Sequence, residues 1–241
     1  MPSNQLDVLA IAAHRDDVEQ TCGGTLLKMA ELGHRTGILD LTQGEMGTRG
    51  TAEERAAEAA EAARILRVAW RQALDIPDGR VENTWDNRLA IARVVREQHP
   101  RVVILPYWKG RHPDHYTCAT LGYEACFLAG LAKLPLDSEA PKHRPFKIVY
   151  ASLYYDVRPT FVVDITEQFE ARLESIFAYK SQFTDQDAGR EDFPESDQIR
   201  ERVASMARFY GMMAGVRYAE PFAQREIGLV GDLAAIPVKS I

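Results

Sequence analysis

Six short apolar runs punctuate the chain, at 6–13, 36–42, 70–76, 102–108, 148–155 and 161–165. Each has strand length, and most are rich in branched or aromatic side chains that suit a pleated, buried surface. The stretches at 24–32, 52–68, 85–98, 113–132, 167–180 and 197–214 repeat apolar positions at helical spacing instead. This alternation predicts a mostly parallel sheet covered by helices on both faces, a three-layer α/β architecture. Thr51-Ala52-Glu53-Glu54 fixes the start of the second helix, because a threonine cap and a glutamate three residues on satisfy free amide donors reciprocally. The polar stretch 184–196, with Gly189 and Pro194, predicts a mobile loop, and 223–241 reads as a C-terminal tail. No internal repeat interrupts the pattern.

With 241 residues, 46% of them hydrophobic, the chain can bury one full core, so a single domain over 1–241 is expected. A formal net charge of -6 argues against nucleic acid as a partner, since phosphate binding usually needs a basic face. Cys22, Cys118 and Cys126 are odd in number and lack C-x-x-C spacing, which suits reduced thiols in a cytoplasmic protein. No apolar run has membrane-spanning length, and the first residues lack the pattern of a signal peptide, so no membrane partner is expected.

Candidate chemistry lies at two strand ends. The first run empties into His14-Arg15-Asp16-Asp17-Val18-Glu19, and the fourth into Arg111-His112-Pro113-Asp114-His115. In a doubly wound sheet the first and fourth strands commonly lie side by side, and ligands bind beyond their carboxyl ends. That topology would bring the two segments together. Two imidazoles and a carboxylate form a common catalytic zinc shell, and His14, Asp17 and His115 fit it best. Iron(II) accepts similar ligands. A second carboxylate, Asp16, is then available as the base that takes a proton from water. A protonated His112 would stabilise an oxyanion and donate to a leaving amine, with Asp114 orienting or charging its ring and Glu19 bracing a ligand from outside.

Other residues carry less. Asp-Asp after a strand often only caps a helix; His34, His99 and His143 read as solvated loop histidines, and Cys118 as a small buried thiol. There is no G-x-G-x-x-G and no nucleophile elbow, which disfavours a dinucleotide enzyme and a serine hydrolase. A noncatalytic sugar or nucleotide binder is the rival of a different class. Arg15, Arg49, Arg55 and Arg111 flank the same predicted edge, so a substrate with an anionic group is expected.

Ala13-His14-Arg15-Asp16-Asp17-Val18-Glu19 resembles the A-H-P-D-D-x-E signature of the LmbE-like, or PIG-L, zinc-dependent N-acetylglucosaminyl deacetylases, and Arg111-His112-Pro113-Asp114-His115 resembles their second motif. Arg15 stands where the family usually has proline. The resemblance implies a single-domain Rossmann-like sandwich, zinc on His14, Asp17 and His115, Asp16 as base, and His112 supported by Asp114 at the oxyanion. Gly50-Thr51-Ala52-Glu53-Glu54-Arg55 and Tyr218-Ala219-Glu220-Pro221-Phe222 are most similar to the bacillithiol-biosynthesis branch, which deacetylates N-acetylglucosaminyl-malate. By that likeness Arg55 and Tyr218 touch substrate. Thiol-conjugate amidases and chito-oligosaccharide deacetylases share the metal motifs and are the alternatives. Such relatives are often hexameric, which gives the apolar segment 227–241 a potential interface.

Overall fold

A computed structural model describes residues 5–152, 157–184 and 195–238. The chain runs β1 (Val8–Ala12), α1 (Asp17–Glu31), β2 (Thr36–Asp40), α2 (Ala52–Ile65), β3 (Trp70–Ala73), α3 (Trp85–Gln98), β4 (Val102–Pro106) and α4 (Pro113–Ala129). It continues with β5 (Lys147–Ala151), β6 (Phe161–Asp164), α5 (Phe169–Phe177), the short α6 (Lys180–Phe183), α7 (Ser196–Ala214) and β7 (Ala219–Ala223). One sheet has the order β3-β2-β1-β4-β5-β7-β6. Strands β1 to β5 pair in parallel, and β7 runs antiparallel between β5 and β6. The expected single-domain, three-layer α/β sandwich with a mostly parallel sheet is what forms.

β1 is buried along its whole length because both its faces are covered. Leu9 and Ile11 point into one core, with Ile91 and Val95 of α3 and Leu121 of α4. Val8, Ala10 and Ala12 point into the other, with Val18, Cys22 and Leu26 of α1. That period of two places the residues after Ala12 beyond the centre of the sheet, and β4 lies directly beside β1, with Val8 opposite Val102 and Ala10 opposite Ile104. The winding reverses at this pair, so the loops after β1 and β4 diverge to opposite faces and leave a crevice between them.

Two elements depart from the expectation. α1 begins at Asp17, seven residues before the predicted start at Gly24, and is interrupted by non-helical backbone at Cys22 (φ -147°, ψ 20°). The break comes immediately before the pair Gly23-Gly24, so the predicted start lies inside a longer, interrupted helix. β7 lies within a segment that sequence periodicity leaves unassigned, because Pro221 argues against a strand with two neighbours. The structure accommodates it at the limit of the sheet: β5 pairs only with Phe222 and Ala223, so Pro221 has no partner on that side. The expected mobile loop at 184–196 and the end of the fifth predicted run at 153–155 fall largely outside the described residues.

Candidate metal centre and adjoining cavity

The loops after β1 and β4 do meet. His14 Nδ1 lies 3.2 Å from His115 Nε2 and 3.4 Å from Asp17 Oδ2, and His115 Nε2 lies 3.1 Å from Asp17 Oδ1. These donors, all within 4.8 Å of one another, are a carboxylate and two imidazole nitrogens aimed at one point, which suits a divalent cation such as zinc. Pro113 occupies the first turn of α4, and His112 caps that helix, its Nδ1 accepting the Asp114 backbone N–H at 3.2 Å. Both histidines of the second segment therefore face the first, with all three ring centroids 4.8 to 5.2 Å apart.

Electrostatics follows from this crowding. Burial works against a charged His14, but hydrogen bonds to Asp114, Asp17 and Asp78 outweigh it, and its pKa is pushed up to about 12. Burial would raise Asp17, yet His115 and His14 hold it well below the usual carboxylate range. The trio thus concentrates positive charge that a metal would replace on binding. Asp16 is raised by burial, against the pull of Arg55. Although Asp16 stands at the N-cap of α1, its side chain makes no capping bond. Its Oδ1 accepts from Arg55 Nη2 at 3.1 Å and its Oδ2 from Gln20 Nε2 at 3.1 Å. A carboxylate that declines the free helix amides and is gripped from both sides is placed for another purpose.

Beside Asp16 opens a cavity of about 520 Å³, lined among others by Gln20, Arg111, Arg172, Arg202 and Tyr210, the last two from α7. Its size suits a small-molecule site.

The sequence model of the PIG-L family, described as GlcNAc-PI de-N-acetylase, matches residues 9–126. The diacetylchitobiose deacetylase of Thermococcus kodakarensis is 34% identical over 226 residues, 88% of this chain and 80% of that protein. The chain belongs to the PIG-L/LmbE-like deacetylase family. Among solved structures, a conserved protein of Thermus thermophilus superposes with a TM-score of 0.85 at 39% identity, covering 94% of this chain and 97% of the other. The Pyrococcus horikoshii N,N'-diacetylchitobiose deacetylase gives 0.78 at 28% identity over 89% and 82% of the two chains.

In this family member, several side chains take other partners than the sequence implies. The Asp114 carboxylate makes no hydrogen bond to the His112 ring. Its oxygens accept the Gly79 and Val81 amides at 2.9 and 3.2 Å and approach His14 Nε2 at 3.4 Å. Asp78, which sequence reasoning missed, reaches the same nitrogen at 3.1 Å. Together they orient His14 from behind, as outer carboxylates do for metal-bound imidazoles. The signal was Asp75-Ile76-Pro77-Asp78-Gly79, a carboxylate in a turn just past a third strand of the same sheet edge. Burial, and then the charges on His14 and His115, lower the pKa of His112, which favours its neutral form over the expected imidazolium.

The arginines also separate. Arg15 donates to Ala52 O and Gln43, Arg49 to Gln182 O, and Arg55 to Gly44 O and Asp16. Of the four, Arg111 alone lines the cavity. Gly44, at φ +75°, is what admits Arg55, since a Cβ there would collide with its Nη1. Tyr218, the other expected substrate contact, is buried in the core under α7 with its ring stacked 3.8 Å from Phe169, and it lines neither the cavity nor the metal crevice. Glu19 braces backbone instead of a ligand side chain: it accepts from Arg71 Nη1 at 2.7 Å and Tyr179 Oη at 3.1 Å, and both donors also bind the Arg15 carbonyl between His14 and Asp16. Cys118 is fully buried and does not join the His14–Asp17–His115 group.

Proposed function

We propose that the protein is a metal-dependent hydrolase that removes acetate from an N-acetylglucosamine conjugate. The observation that carries this reading is the convergence of His14, Asp17 and His115 on one point with Asp16 held beside it. A zinc ion on that trio, or iron(II) on the same donors, would polarise the acetamide carbonyl and bring the pKa of water to about 7. The chain's own residues do the rest. Asp16 takes the proton as water attacks the carbonyl carbon, oriented for it by Arg55 and Gln20. His112, whose Nδ1 accepts a backbone N–H, carries its proton on Nε2 and donates it in a hydrogen bond to the developing oxyanion. As the C–N bond breaks, Asp16 returns its proton to the leaving nitrogen, giving free amine and acetate.

A narrow crevice of about 30 Å³ beside Asp17 and His115, lined mainly by apolar groups such as Val18, Ile104 and Ala151, has room for little more than a methyl group. We place the acetyl methyl there and the sugar in the larger cavity. For the rest of the substrate, the diacetylchitobiose deacetylases at 34% and 28% identity support a chito-disaccharide. Acidic conjugates such as N-acetylglucosaminyl-malate, or a related thiol conjugate, are the second reading, supported by Arg111 and Arg202 in the cavity wall. The malate reading loses the support of Arg15, Arg49 and Arg55, none of which lines the cavity.

The test is acetate release from a panel of diacetylchitobiose, N-acetylglucosaminyl-malate and N-acetylglucosamine by zinc-loaded protein. Chelation should abolish turnover and zinc should restore it, while Asp16→Asn should lower kcat by about 10²- to 10⁴-fold with metal retained. Protein that binds the sugars but never hydrolyses them would be the noncatalytic binder instead. Three free, buried cysteines support a reducing cytoplasmic setting. No helix among the described residues is long and apolar enough to cross a membrane.

A further inference from the structure

The helix carrying Asp17 is broken in its second turn, and the break is not left to water. At Cys22 the backbone leaves helical geometry, so the carbonyls of the turn before it and the amides of the turn after it lose their usual partners. Arg172, from α5, donates through Nη2 to Gln20 O at 2.6 Å and through Nε to Glu19 O at 3.3 Å. Glu220, from β7, accepts the Gly24 and Thr25 amides at 2.9 and 2.7 Å and the Thr25 hydroxyl at 2.5 Å. The two side chains pair at 3.0 Å, and both are buried. The signs match the ends: a cation on the carbonyl terminus of one helical piece and an anion on the amide terminus of the next. Gly24 leaves the space, since a Cβ there would meet Ile165 at 2.9 Å and the Glu220 carboxylate at 3.1 Å.

What this clamp holds is Gln20. Its carbonyl is fixed by Arg172, and its side-chain amide donates to Asp16 Oδ2 at 3.1 Å and to Asp16 O at 3.3 Å. We infer that Arg172 and Glu220 are positioning residues for Asp16, acting through Gln20 across the break in α1 and opposite Arg55. This rests on Asp16 as the base in the proposed deacetylation. It gives the glycine pair, the Tyr-Ala-Glu-Pro-Phe segment and α5 a shared task at the site, none of which needs to touch substrate.

The test uses full-length, metal-loaded protein and whichever N-acetyl sugar it hydrolyses. Gln20→Leu, which leaves the buried pair intact, and Arg172→Ala should each lower kcat by about 10²-fold with metal content little changed, the scale of a misplaced catalytic group, a loss larger than any rise in KM from removing a cavity-wall side chain. Because Arg172 borders the cavity, added methylguanidinium should enter Arg172→Ala and recover part of kcat, whereas methylammonium of the same charge should not. A crystal structure of either variant should show the Asp16 carboxylate displaced. Unchanged kcat in Gln20→Leu, or an undisplaced Asp16, overturns the inference, and Gln20→Leu decides it if Arg172→Ala does not fold. Full turnover in Asp16→Asn would instead sink the underlying assignment of the base, so the two failures are told apart.

Discussion

The guanidinium of Arg55 sits in the first turn of α2, where the helix dipole disfavours a cation. Its contacts with Gly44 O and Asp16 compensate, and they make it a holder of the base and not a hand on the substrate. Arg55→Leu should therefore depress kcat by about 10²-fold and leave KM nearly constant in steady-state assays; a rise in KM alone would return it to the substrate. At this scale, His14, Asp16, Asp17, His112 and His115 were legible because ligand-type residues recur at two strand ends, where a doubly wound sheet gathers its chemistry. Arg172 and Glu220 were not, since each reaches the site through tertiary contacts that no local spacing encodes, while Asp78 carried only the weaker signal of a lone carboxylate in a turn past a third strand. The hydrogen-bond partners of Asp114 were hidden for a related reason: the amides of Gly79 and Val81, supplied by a different loop, take its carboxylate, which acts on His112 through charge alone. Glu19 is a further case, its carboxyl pushed up to about 7 by burial against the pull of Arg71, in a cage built by β3 and the segment after α5.

Helix ends carry predictions of their own. The Thr51 capping box is present in both directions, Thr51 Oγ1 accepting from Glu54 N at 3.1 Å and Glu54 Oε2 from Thr51 N at 2.8 Å. Thr51→Ala should cost about 1 kcal/mol in chemical denaturation. At the far end of α3, His99 adopts φ 49°, a left-handed cap position that glycine fits without strain. His99 is also lowered in pKa, first by burial and then by His143, whose ring lies 4.4 Å away. A depressed histidine contributes stability that is present above the ordinary 6.5 and lost as pH falls through the folded-state value, because the unfolded chain then binds more protons. His99→Gly should thus gain up to about 1 kcal/mol and flatten the acid limb of stability below 6.5; an unaltered limb would assign the acid sensitivity elsewhere. The capped helix was readable from four residues, whereas the break in α1 and the strand at Pro221 were not, since in both the local signals point to termination and a distant carboxylate or strand overrides them.

Across the whole molecule, the winding order and the sheet follow from the alternation of apolar periods, and the meeting of His14, Asp17 and His115 follows from the winding order. The tail obeys no such rule. Ile227 and Leu229 are 99% exposed and Leu233 80%, apolar side chains left largely to solvent. On this basis we expect a homo-oligomer in which such side chains are covered by a neighbouring copy. Light scattering should then give a multiple of the chain mass for the full protein and a lower mass for a chain ended after residue 226; equal masses would remove the tail from the interface.

The antiparallel β7 has a consequence for synthesis. It is made last, yet it is seated between two strands made long before it, and it brings Glu220 to the break in α1. The candidate metal trio is complete in the chain once His115 has been made, but Glu220, inferred above to help aim Asp16, follows only after every other strand of the sheet. A nascent chain stalled before residue 219 would hold its ligands and lack the means to use them.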